Sequence, residues 1–131
     1  MNRYWITTGL FCAVLTFSSV MHGFRIGPML ESMTALGYPP YFMTILGTAK
    51  FLGVVALLVP GRPLLKEWAY AGFAFNLLGA TATHAFVGDS LSEFVGPVAL
   101  LAIGTVSYLS RPAGRRVSEA PTFTGRVPVA A

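Results

Sequence analysis

Charge is scarce in this chain. Only 11% of its 131 residues are Asp, Glu, Lys or Arg, where soluble domains carry about 25%. A soluble helical domain would need those residues at amphipathic spacing on its outward faces. Residues 68–88 contain none of them, which excludes that class. Cysteine is nearly absent too. Cys12 stands alone, so there is no intrachain disulfide and no Cys-x-x-Cys redox pair, and its place in an apolar run reads as packing. Strict apolar/polar alternation is missing, which excludes a β-barrel. No glycine-rich loop follows a strand and no serine elbow occurs, so a nucleotide enzyme or hydrolase has no support. The first apolar run ends in Met21-His22-Gly23 without a small-x-small cleavage site, and it reads as a retained helix rather than a signal peptide.

What is present is hydrophobic length. Apolar windows cover residues 4–21, 33–59 (interrupted by Lys50), 68–88 and 94–110, and a spanning helix needs about 20 such residues. The pattern predicts an all-α polytopic membrane protein, a four-helix antiparallel bundle within residues 1–110. Its helices are expected at about 4–22, 40–59, 67–87 and 93–110. Gly27-Pro28 marks a turn, and Met29 to Leu36 reads as a short interfacial helix ended by Gly37. Pro60-Gly61-Arg62-Pro63 stops the second helix, Gly88-Asp89-Ser90 turns the chain again, and Pro97 is expected in the first turn of the last helix. Residues 111–131 form a basic tail with Pro and Gly and no apolar period, expected to be poorly ordered or ordered by a partner. Its Arg111, Arg115 and Arg116 read as a stop-transfer flank, with contact to anionic lipid as a further option.

The formal charge of +4 is spread over segment ends rather than gathered into a nucleic-acid-binding patch, so no nucleic acid partner is expected. With four spans, Arg3, Arg62, Lys66, Arg111, Arg115, Arg116 and Arg126 fall on one side and Arg25 alone on the other. The positive-inside rule then places both termini in the cytoplasm and the protein in a cell membrane, the inner membrane of a bacterium. Tyr38, Tyr41, Trp68 and Tyr70 suit interfacial positions.

Helical wheels sort the few polar residues. Thr8, Leu15, Ser18, Ser19 and His22 share one face of the first helix, and Met43, Gly47, Lys50, Gly53 and Leu57 one face of the second. Gly72, Asn76, Gly79 and Thr83 form a small, polar face on the third, with His84 to one side. Gly96, Leu100, Gly104 and Ser107 form a close-packing face on the fourth. At 1.5 Å per residue, Lys50 and Asn76 both lie about 15 Å from the outer ends of their helices, level near mid-bilayer. A charge at that depth faces the bundle or a hydrated cavity. Lys50 is therefore the first ligand-binding candidate, for an anion, a carbonyl or a proton, against a structural salt bridge or a snorkelling side chain. Asn76 orients a ligand or satisfies Lys50 or a helix carbonyl. His84 with Asp89 beyond it, His22 and Glu31 are the candidates at the outer mouth. Their separations match no metal motif, and no metal or cofactor is expected.

The stretch GTAKFLGVVALLVPGRPLLKEWAYAGFAFNLLGATATH resembles the DoxX-like family of small four-helix membrane proteins. The resemblance covers roughly residues 36–89. It rests on Gly47-x-x-Lys50-x-x-Gly53, on Leu65 to Gly72, and on Gly79-Ala80 followed by His84 and Asp89. It implies a membrane subunit associated with quinone-linked oxidation of sulfur compounds, a partner of redox enzymes, or an accessory protein. Together these readings give a bilayer protein that binds a small, apolar, oxygen-bearing molecule such as a quinone or isoprenoid-like lipid, as the membrane subunit of an oxidoreductase system. The alternative is a non-catalytic accessory or assembly protein acting through helix–helix contacts with a membrane partner or another copy of itself.

Overall fold

The computed structural model describes residues 2–118. All regular structure among them is helical: α1 (Asn2–Gly23), α2 (Gly27–Ala35), α3 (Pro40–Leu58), α4 (Pro63–Val87) and α5 (Leu91–Leu109), followed by a 3-10 turn at Ala113–Arg115. Proline and glycine set the boundaries. Pro28, Pro40 and Pro63 stand in the first turns of α2, α3 and α4, where a missing amide costs nothing. Gly37 and Gly88 take positive φ just past α2 and α4 and release the chain.

Two boundaries differ from the expectation. α4 begins at Pro63, a full turn early, because Arg62 adopts a left-handed conformation (φ 53) and hands the chain directly to a proline already set for helix. α5 begins at Leu91, which puts Pro97 inside the helix rather than in its first turn.

α1, α3 and α5 are each long and apolar enough to cross a membrane, which makes this a multi-pass membrane protein. The expected count was four such helices. α4 is longer than any of the three, but Lys66, Glu67, Asn76, Thr81, Thr83 and His84 dilute its apolar character.

The four long helices form a ring in which α1 packs on α3, α3 on α4, α4 on α5 and α5 back on α1, with α2 lying over α3 and α1. The α1–α3 contact is the most extensive, and Gly47 explains why. A Cβ there would lie 2.5 Å from the Gly23 backbone nitrogen and 2.8 Å from the Ser19 carbonyl oxygen. Two backbones meet, and the Ser19 hydroxyl donates to the Gly47 carbonyl at 2.7 Å. This is the small-residue packing available to helices that gain nothing from apolar contact over lipid.

Across the ring, Phe11 of α1 reaches Phe73 edge-on (5.5 Å) and stacks near Tyr70 (6.4 Å), its ring filling the space that a Cβ at Gly104 would need. Beside it, Ser107 bonds to Thr8 at 2.6 Å and to Tyr70 at 2.7 Å, tying α1, α4 and α5 at a fully buried point. Ser107→Ala removes both bonds. Interhelical hydrogen bonds in membranes average about 0.6 kcal/mol each, so a loss of about 1–2 kcal/mol is expected in detergent unfolding titrations.

Charge divides the two ends of the ring. Where α1 and α4 begin and α3 and α5 end, the described residues carry Arg3, Arg62, Lys66, Arg111, Arg115 and Arg116 against one carboxylate, Glu67. Arg25, Glu31, Asp89 and Glu93 stand at the opposite end.

Candidate functional site

α3 carries Lys50 one turn beyond the Gly47 crossing, so its side chain is held against α1. Lys50 is 8% exposed, and its ammonium donates to the Ser18 hydroxyl at 2.9 Å. Among the described residues no carboxylate lies within ion-pair distance of it. The His22 ring is fixed on the same helix, its Nδ1 donating to the Ser18 carbonyl at 2.8 Å. Ser18 thus ties Lys50 and His22 into one polar group, and among the described residues the Ser18 hydroxyl is the one acceptor the Lys50 ammonium meets.

A groove of about 270 Å³ runs between α3 and α4 beside this group, lined by Lys50, Asn76, Gly53, Trp68, Gly72 and Phe73, among others. Lys50 and Asn76, expected at matching depth, therefore share one cavity. Gly72 leaves the groove open, since a Cβ there would meet nothing within 4 Å, while the space that Gly53 frees is taken by the Phe73 ring, 2.5 Å from where a Cβ would be.

The other candidates lie elsewhere. His84 does not line this groove. Its Nδ1 is 2.7 Å from an Asp89 carboxylate oxygen and its ring tilts on Phe94, forming a separate pair at the far end of α4. Glu31 is exposed on α2. No group of three metal-binding side chains occurs among the described residues.

Several polar contacts were not anticipated. Lys66, expected at the membrane edge, has no exposed surface. Its ammonium donates to the carbonyls of Ala56 (3.1 Å), Leu57 (3.2 Å) and Val59, closing the open end of α3. Tyr70, expected at the interface, points inward with Phe73 and Leu77; the spacing 66, 70, 73, 77 was the available signal for α4's buried stripe. Gly72 and Gly79, on the small, polar face of α4, are exposed, and a Cβ at either would meet nothing within 4 Å.

The start of the basic tail is docked. Arg111 donates to Glu67 at 2.6 Å and lies 3.7 Å over the Tyr108 ring, while Tyr108 donates to the other Glu67 oxygen at 2.9 Å. Arg115 donates to the Leu57 carbonyl at 2.9 Å and covers the Trp5 ring. The tail reading for residues 119–131 lies outside the described residues.

A family model described as the DoxX-like family matches residues 6–107. The chain belongs to the DoxX-like family. No curated protein and no solved structure matches it. The match spans nearly all of α1 through α5, so the Lys50–Asn76 groove and the buried Ser107 junction of this DoxX-like chain both fall inside the family region.

Proposed function

We propose that this DoxX-like chain binds a small, apolar, oxygen-bearing molecule, a quinone or isoprenoid-like lipid, in the α3–α4 groove, as the membrane subunit of an oxidoreductase system. The carrying observation is the Lys50 ammonium, which rests on a hydroxyl instead of a carboxylate and borders an apolar groove. A cation kept at such depth without a counter-charge is poised for an acceptor brought by a ligand. The groove walls suit a flat ring: Trp68 and Phe73 offer aromatic surface, and Asn76 supplies a second polar contact. At about 270 Å³ the groove lies just below the usual range of ligand sites, about 300–1,000 Å³, which fits a single ring with its tail left in lipid.

In this reading α4 is the fourth span, since it runs antiparallel between α3 and α5. The charge excess at one end supports placing both termini in the cytoplasm. His84, Asp89, His22 and Glu31 would then face the outer side, with His22 joined to Lys50 through Ser18. The accessory reading has an observation of its own: Gly72 and Gly79 are exposed on α4 with room for a close approach, since a Cβ at either would meet nothing within 4 Å.

Trp68 provides the test. A Trp5→Phe background leaves Trp68 as the sole indole, and a short-chain quinone titrated into nanodiscs should quench it saturably. Lys50→Met should weaken the apparent affinity about tenfold, the value of one charge-assisted hydrogen bond of roughly 1.5 kcal/mol. Unchanged affinity in Lys50→Met would remove Lys50 from the site. Quenching that never saturates would favour the accessory reading.

A further inference from the structure

A second groove, of about 260 Å³, lies on the other side of α4, between it and α5. Phe11, Phe73, Leu77 and Leu101 line its length, and Glu67 and Tyr108 close its end. From Leu77 to Glu67 the helix rises about 15 Å, so this is an elongated apolar slot with one polar mouth. The mouth carries no net negative charge, because Arg111 neutralises Glu67 at 2.6 Å.

Beyond the mouth the described residues carry an excess of positive charge. Arg116 is exposed at the end of α5, its guanidinium anchored on the carbonyls of Arg111 (2.6 Å) and Leu109 (3.0 Å). Carbonyl anchoring fixes a guanidinium without cancelling its charge. Among the described residues, Glu67 is the single carboxylate paired at this end, and its partner is Arg111.

An elongated apolar slot whose mouth residue Glu67 is held by Arg111, on whose carbonyl Arg116 is in turn anchored, is complementary to an anionic head joined to an apolar tail. We infer that the α4–α5 groove seats one acyl chain of an anionic phospholipid whose phosphate is held by Arg116. This site lies on the opposite side of α4 from the Lys50 groove, shares only the Phe73 ring with it among their lining residues, and does not use Lys50.

The test uses the full chain in nanodiscs containing equal phosphatidylglycerol and phosphatidylcholine, released gently and weighed by native mass spectrometry. The expected result is one retained phosphatidylglycerol, enriched about fivefold over phosphatidylcholine, the value of one basic residue near a membrane surface. Arg116→Gln should bring the enrichment to parity. Ala74→Phe fills the slot from the α4 wall and Thr105→Phe from the α5 wall; each should abolish the adduct, and the pair guards against one variant failing to fold. Lys50→Met should leave the adduct unchanged, which separates this outcome from failure of the quinone reading. No enrichment in the native chain would overturn the inference. So would enrichment that survives both wall variants, which would be surface charge alone, or loss of the adduct in Lys50→Met, which would place the lipid in the other groove.

Discussion

Gly47→Ala should cost about 3 kcal/mol, combining overpacking with the loss of one interhelical hydrogen bond. The new methyl would stand 2.5 Å from one backbone atom of α1 and 2.8 Å from two others. Backbone cannot rotate away as a side chain can, so α1 and α3 must separate. Separation breaks the Ser19–Gly47 bond and draws Ser18 from Lys50. Gly53→Ala is the internal comparison. Its methyl would meet the tip of the Phe73 ring, which can swing aside, and about 1 kcal/mol is expected. Unfolding in mixed micelles by denaturing detergent measures both. Equal costs for the two variants would show that the backbone crossing is not special.

The second large effect separates two lysines. Lys66→Met should destabilise by about 3 kcal/mol, because three carbonyls at the end of α3 lose a charged donor and the helix loses a cation at its negative pole. Lys50→Met should be neutral or stabilising. It removes a charge whose hydrogen-bond partner in the structure is one hydroxyl, and an apolar side chain of similar length avoids the cost of holding that charge at depth. The same substitution thus carries opposite signs at the two positions. Melting temperatures in detergent check it, and matching destabilisation at both positions would contradict a ligand-directed Lys50.

Much of the frame could be read from the chain before its structure. Prolines and glycines bounded the helices to within a turn, and helix rise placed Lys50 level with Asn76, which do share a groove. The spacing of His84 and Asp89 anticipated a pair, and they meet at 2.7 Å. That pair stands apart from the groove, so one expected pocket resolves into two polar sites.

Which face of α4 turns inward was not legible. Lipid accepts Phe and Leu as readily as a protein interior does, so an apolar residue carries little information about direction. Phe75 and Phe86 face outward while Phe73 is buried, and nothing in their chemistry separates them. Polar residues carried the information on α1, where Thr8, Ser19 and His22 all turned inward. On α4 the two glycines of the small, polar face stayed exposed while Thr83 bonded to Tyr38, and the tyrosine–phenylalanine stripe packed. Lys66 was hidden for another reason. Its burial depends on a helix that starts four residues early, and that start depends on Arg62 accepting a conformation unusual for a residue with a Cβ.

Phe73 borders both grooves. It is a party wall: one rotatable ring divides the space on either side of α4. The ring is held between Phe11 and Gly53, so it forms a wall of the slot beside Leu101 and of the slot beside Lys50 at once. A substitution at Phe73 would therefore alter both sites together, whereas Lys50, Ala74 and Thr105 each belong to one side of α4 alone.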